Sequence, residues 1–260
     1  MPRLDELESA ARVVHATVPP TPQICWPLLS QRAGCEVWVK HENHTPIGAF
    51  KVRGGLVYLA ELKKAEPGVT GVISATRGNH GQSLAFAARR HGLSATLVVP
   101  HRNSREKNAA MRALGAELIE HGKDFDESYG YARSLAAERR LHMVLAFHPW
   151  LVSGAASYSL ELLRSVPDLH TVYVPVGQGS GICGMIAARD ALKLGTRIVG
   201  VVAANAPAYA LSMAQQRPVA TDSANTVADG VACRIPDPEA FATILKGVER
   251  IVPVSEEAIR

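Results

Sequence analysis

The chain has 260 residues, 47% of them hydrophobic and 20% charged, with a net charge of +4; this suits one large or two small soluble domains. The charge is dispersed, and its densest points, Arg89-Arg90-His91 and Arg139-Arg140, sit late in helical patterns, where cations complement the helix dipole. This argues against a nucleic-acid surface. No apolar run reaches the length of a membrane span or follows a basic leader. The cysteines, Cys25, Cys35, Cys183 and Cys233, have neither metal-ligand nor CxxC spacing, so reduced thiols in the cytoplasm are expected.

Taken in chain order, His15 falls in a first helix, and His41 and His44 fall in a loop ahead of Lys51. From residue 71 short β-rich runs alternate with helical ones. Strands are expected at 71–74, 95–99, 117–120, 143–146, 171–176, 197–202 and 251–254. Helices are expected at 81–90, from the Ser104 N-cap to Gly115, at 126–139 and at 182–194. Lys107, three residues after Ser104, does not complete a capping box. This order implies βαβ units and parallel sheets with helices on both faces, and the continuous apolar strands agree. Ser255 opens one more helix, which Arg260 leaves in its first turn, so a C-terminal portion is expected beyond it.

Three segments carry chemistry. Lys51 lies in Gly48-Ala49-Phe50-Lys51-Val52-Arg53-Gly54, where small and apolar neighbours strip water from the amine. Desolvation lowers its pKa and makes it a nucleophile toward a carbonyl cofactor. Thr76-Arg77-Gly78-Asn79-His80-Gly81-Gln82 follows a strand and opens a helix. Its free N–H groups, with the Thr76 hydroxyl and the Asn79 amide, form an anion site; a plain N-cap turn reads the segment equally well. Gly177-Gln178-Gly179-Ser180-Gly181-Ile182-Cys183-Gly184 has four glycines in eight residues, more than a simple strand-turn-helix joint requires, and cradles a phosphate. It also matches the GxGxxG pattern. However, the next strand ends Val201-Val202-Ala203-Ala204-Asn205, without the carboxylate that would bind a dinucleotide ribose, so a monophosphate cofactor fits better. The histidines show no HExxH or comparable spacing, and neither a GxSxG elbow nor an activated cysteine is present.

Together these segments resemble the fold-type II pyridoxal-phosphate enzymes (the tryptophan synthase β-like fold), and within them the serine/threonine dehydratases, or threonine ammonia-lyases. The resemblance runs nearly end to end through Thr21-Pro22, Lys40-x-Glu42, Gly48 to Gly54, Gly78-Asn79-His80-Gly81-Gln82, residues 154–161, residues 175–184 and Thr226-x-Ala228-Asp229-Gly230. It implies a two-domain α/β fold with pyridoxal 5'-phosphate in the cleft. The larger domain comprises residues 1–52 and 149–260, incomplete at its C-terminus, and the smaller one residues 53–148. It implies that Lys51 carries the cofactor as a Schiff base and removes the substrate Cα proton. Phe50 positions the ring, Asn79 meets its O3′, and Gly177, Gln178, Gly179, Ser180 and Gly181 hold the phosphate. Thr76, Gly78, Asn79 and His80 bind the substrate carboxylate.

The expected reaction is β-elimination from L-threonine, L-serine or a related β-hydroxy amino acid, giving a 2-oxo acid and ammonia. A homodimer or homotetramer is the expected assembly. Alternatives are a lyase for 3-hydroxyaspartate or an ectoine-derived substrate, and a non-catalytic amino-acid-binding relative. Arg77 stands where racemases of the family have a serine acid/base. An arginine cannot take that role, so racemisation is disfavoured and contact with an acidic substrate side chain is opened. Val202 replaces the glutamate of relatives with a divalent-cation site, so no metal is expected.

Overall fold

The computed structural model describes residues 2–260. The N-terminal part contributes α1 (Leu4–His15), β1 (Gln23–Cys25), α2 (Pro27–Ala33) and β2 (Trp38–Lys40), with β1 and β2 antiparallel. Next come α3 (Lys51–Ala65), β3 (Gly71–Ala75), α4 (Asn79–Arg90), β4 (Ser94–Val99), α5 (Arg105–Ala113), β5 (Glu117–Glu120), α6 (Phe125–Arg139) and β6 (His142–Met143). The four strands form a parallel sheet in the order β5-β4-β3-β6. After α7 (Pro149–Ser165) come β7 (Thr171–Pro175), α8 (Ser180–Ala191), β8 (Arg197–Ala203), α9 (Ala208–Gln215), a 3-10 turn (Asp229–Val231), α10 (Pro238–Gly247), β9 (Arg250–Val254) and α11 (Glu256–Ile259). A second parallel sheet runs β7-β8-β9. No described helix is long and apolar enough to cross a membrane.

Helix α7 lies between the two layers and brings their active ends together. Its Gly154 meets the Arg53–Gly54 backbone of α3, where an added β-carbon would stand 2.7 Å from Gly54 Cα. On another face, Gly184 of α8 abuts the Ala156 backbone; a β-carbon there would stand 2.8 Å from its nitrogen. Backbones this close leave no room for larger side chains, so α3 and α8 are both anchored on one helix. Three hydrophobic clusters result: one joins α1, α7 and α8 to the three-stranded sheet, one joins α3 and α4 to the four-stranded sheet, and a smaller one packs α6 on the four-stranded sheet.

Most expected elements are present, with three corrections. The strand expected at 143–146 pairs only through His142–Met143. Past it, Ser74 Oγ donates to the Val144 carbonyl at 2.7 Å, and the chain leaves the ladder to wall the cleft. The helix expected at 182–194 is Ser180–Ala191; it starts at the glycine turn and stops before Lys193, which is left-handed with φ 56°. The helix expected from 81 starts at Asn79. Ser104 caps α5 as expected, accepting from Lys107 N–H, and Gly115 ends the segment with φ 91°.

Candidate active site

Lys51 is the first residue of α3, held by Ser83 Oγ, which donates to its carbonyl at 2.6 Å. Its Nζ lies 5.1 Å from the centre of the Phe50 ring, and no carboxylate pairs with it among the described residues. Burial lowers its pKa from 10.5 to about 8. The N-termini of α3, α4 and α8 all open on the same cleft, and their positive dipole ends push in the same direction. His80 sits beside it, with a buried Nε2 that has no partner among the described residues. Burial, and after it the Lys51 charge, hold this imidazole down to about 3.

Thr76 is buried at the end of β3 and organises the first turn of α4. Its Oγ1 accepts the N–H groups of Gly78 and Gly81, both at 3.0 Å. This leaves the N–H groups of Asn79 and His80, among the first four of the helix, without an intrahelical acceptor. The hydroxyl proton of Thr76 also has no acceptor among the described residues. Arg77 is exposed on the cleft rim, with neither ion pair nor hydrogen bond among the described residues.

The glycine segment joins β7 to α8. Gly179 is the N-cap, at φ 104°, a conformation that penalises other residues; a β-carbon there would also stand 2.7 Å from Ala240 Cβ. No side chain caps this helix, so its N–H groups are free for an anion. At Gly181 a β-carbon would press on Phe50 Cζ at 3.1 Å and Tyr158 Oη at 3.2 Å. Tyr158 donates to the Gly181 carbonyl at 3.1 Å and meets Phe50 edge-on, its ring centre 5.6 Å away. The Gln178 carbonyl is held by Tyr209 Oη at 3.1 Å.

The structure gathers all the sequence-predicted residues at one place. Lys51, Thr76, Arg77, Gly78, Asn79, His80, Gly177 and Gln178 line a cleft of about 600 Å³. Phe50, Gly179, Ser180 and Gly181 line its deeper extension together with Lys51 and Asn79. Sequence reasoning missed the ion pairs that cross the cleft, Lys107–Asp229 and Arg234–Asp126. The Asp229 motif was visible as a pattern, but nothing in it named a partner 122 residues away.

A second arrangement was also missed, directly behind Lys51. Arg53 is fully buried, with Nε and Nη2 on Glu42 at 2.8 and 2.9 Å and Nη1 and Nη2 on Glu161 at 2.5 and 3.1 Å. Ser157 Oγ accepts from Nη1 at 3.0 Å. Lys40 adds Nζ to Glu161 at 2.5 Å and to the Thr21 carbonyl at 2.7 Å, while Thr21 Oγ1 donates to Glu42 at 2.6 Å. Burial alone would lower the Arg53 pKa, but the hydrogen bonds and charges of Glu42 and Glu161 outweigh it and raise it. Thr21, Lys40, Glu42, Arg53 and Glu161, scattered through the recognised motifs, are one network.

The chain matches the family described as "Pyridoxal-phosphate dependent enzyme" over residues 14–260. It is 33% identical over 257 residues to the L-threonine ammonia-lyase of Thermotoga maritima, an alignment covering 98% of this chain and 64% of that relative's length. It is 35% identical over 231 residues to the L-threonine ammonia-lyase of Geobacter sulfurreducens, covering 88% of this chain and 57% of the relative. The chain thus spans less than two thirds of the length of either relative. Among solved structures it is similar to the processed form of threonine deaminase isoform 2 from Solanum lycopersicum, with TM-score 0.87 and 30% identity over 98% of this chain and 76% of the other. It is also similar to maize serine racemase, with TM-score 0.93 and 25% identity over 99% and 78%.

Proposed function

The chain belongs to the pyridoxal-phosphate dependent enzyme family, and from that premise we propose that it eliminates water and ammonia from L-threonine, L-serine or a related β-hydroxy amino acid, leaving a 2-oxo acid. One observation carries the reading: an unpaired lysine of lowered pKa opens on a cleft that also receives two anion-binding helix starts. The residues fit the cofactor. Lys51 offers an amine to its aldehyde. The uncapped start of α8, with Ser180 and Gln178 beside it, offers donors to its phosphate. Gly181 leaves space that a β-carbon would take from Phe50.

When bound, the cofactor supplies an electron sink for the carbon that loses its proton. Thr76 Oγ1 and the N–H groups of Asn79 and His80 orient the substrate carboxylate. Lys51, neutral in a useful fraction near pH 8, takes the Cα proton. His80, already neutral, does not compete as a cation beside it. Phe50 and Tyr158 keep water from the floor of the site. The guanidinium of Arg77 has no proton acceptor to offer, so it cannot be the acid/base that racemisation needs, which favours elimination. We further propose the larger and smaller domains at 1–52 with 149–260 and at 53–148, a homodimer or homotetramer, and a cytoplasmic location, with which four free cysteines agree.

The unpaired, cleft-facing Arg77 favours a second reading, in which the substrate bears an acidic side chain such as that of 3-hydroxyaspartate. The test is release of 2-oxo acid and ammonia from a panel of β-hydroxy amino acids. L-Threonine or L-serine should turn over, with a visible cofactor band that is lost in Lys51→Ala and kept in Lys64→Ala, a surface variant. Amino-acid binding without turnover would contradict the assignment. Arg77→Ala should lower turnover of 3-hydroxyaspartate relative to threonine under the second reading; an unchanged preference would remove it.

A further inference from the structure

Lys107 has no place in the roles above, yet it touches both sides of the cleft. It lies in the first turn of α5, on the side of the four-stranded sheet. Its stem covers Gly78: a β-carbon added at Gly78 would collide with Lys107 Cδ and stand 3.3 Å from Cγ and Cε. Its ammonium reaches across to the carboxylate of Asp229 on the 3-10 turn. The next residue, Gly230, places its carbonyl oxygen 2.7 Å from where a β-carbon on Gly177 would be, and its own Cβ position faces Asn79 Nδ2 at 3.8 Å. One side chain therefore links Gly78, in the first anion-binding turn, to Asp229, whose neighbour Gly230 packs on Gly177, in the second. The paired side chains are only 26% and 34% exposed, so water screens them less than a surface ion pair.

We propose that Lys107 is a positioning residue that sets the spacing between the two anion-binding turns, with its stem on Gly78 and its ammonium on Asp229. Its effect on the reaction rests on the functional reading given above; the mechanical link between the turns does not. Substrate carboxylate and cofactor phosphate are held by different halves of the cleft, so an error in spacing misplaces the Cα proton relative to Lys51. Misplacement by about an ångström costs on the order of 10²-fold in rate. Lys107→Met keeps the stem and removes the charge, which separates the two contacts.

Amide hydrogen exchange of the protein, measured with and without pyridoxal phosphate, gives a readout independent of turnover. In Lys107→Met and in Asp229→Asn, exchange should quicken by about tenfold in both the 76–81 and the 228–231 segments, the size expected for a coupled contact of about 1.4 kcal/mol. Lys107→Arg, which keeps both the stem and the charge, should leave exchange slow in both segments. In the cofactor-loaded protein, Lys107→Met should weaken binding of L-alanine, which has no β leaving group, and lower kcat more than it raises KM. Exchange that matches the unsubstituted protein in both segments, or that changes in one alone, would overturn the inference. Failure of the unsubstituted protein to take up the cofactor would strike the functional reading instead, because the exchange comparison stands without it.

Discussion

Two residues apart at the start of α3, Lys51 and Arg53 are both withdrawn from water, and the fold treats their charges in opposite ways. Arg53 is enclosed by Glu42 and Glu161, with Lys40 balancing the second carboxylate, so a whole network is buried with its charges matched. Lys51 faces the cleft with an aromatic ring and a neutral histidine as neighbours and no anion among the described residues. A buried charge that is paired holds elements together; one left unpaired is pressed toward its neutral form, where an amine can react. The network anchors α3 to α7 behind the cleft, and so holds Lys51 where its charge is unwelcome.

The contrast predicts stability changes of opposite sign for the same substitution. Arg53→Met leaves the Glu42 carboxylate without its cation and Glu161 with Lys40 in place of two partners, and should destabilise the protein by about 3–5 kcal/mol in denaturant unfolding. A neutral or stabilising result would mean that the network does not anchor the helix. Lys51→Met, in cofactor-free protein, should stabilise it at pH 7 by about 3–4 kcal/mol, from about 1.4 kcal/mol for each pH unit between the two titrations. Unfolded, the amine titrates near 10.5; folded, at about 8. Below pH 8 it is charged in both states and folding carries the full cost. Between 8 and 10.5 the unfolded chain holds more protons, so stability rises with pH, and above 10.5 the cost is gone. The advantage of Lys51→Met should vanish over that interval; an advantage independent of pH would mean that packing, not charge, is responsible.

A smaller effect sharpens the boundary between anchoring and chemistry. Thr76→Val removes the acceptor of two N–H groups at the start of α4 and should cost about 1–2 kcal/mol. It should also weaken amino-acid binding while leaving cofactor uptake intact. If uptake falls instead, the two helix starts do not divide the anions as proposed.

The alternation of strands and helices from residue 71 was legible because apolar runs bounded by glycine and proline mark parallel βαβ units. Helix α7 was not, because eleven of its seventeen residues are buried and its polar stripe, Ser153, Ser157, Glu161 and Ser165, is narrow and mostly of small side chains. The candidate site residues that line the cleft were legible where their chemistry is local: a lysine among small neighbours, a glycine segment after a strand, a Gly-Asn-His turn. What depends on distant pairing was not. Glu161 reads alone as a surface carboxylate late in a helix; only the fold shows it meeting Arg53, Lys40 and His15. Lys107 reads as an ordinary first-turn residue until Asp229 is brought to it.

The central claim is that Lys51, withdrawn from water and without a carboxylate partner among the described residues, is the lysine that takes the cofactor. Purified protein would be incubated with pyridoxal phosphate, reduced with borohydride and digested, and the pyridoxyl mass located by peptide sequencing. The account predicts a single modified residue, Lys51, with Arg53 variants losing the label in proportion to their loss of structure. A label on another lysine, or its even spread over the surface, would contradict it.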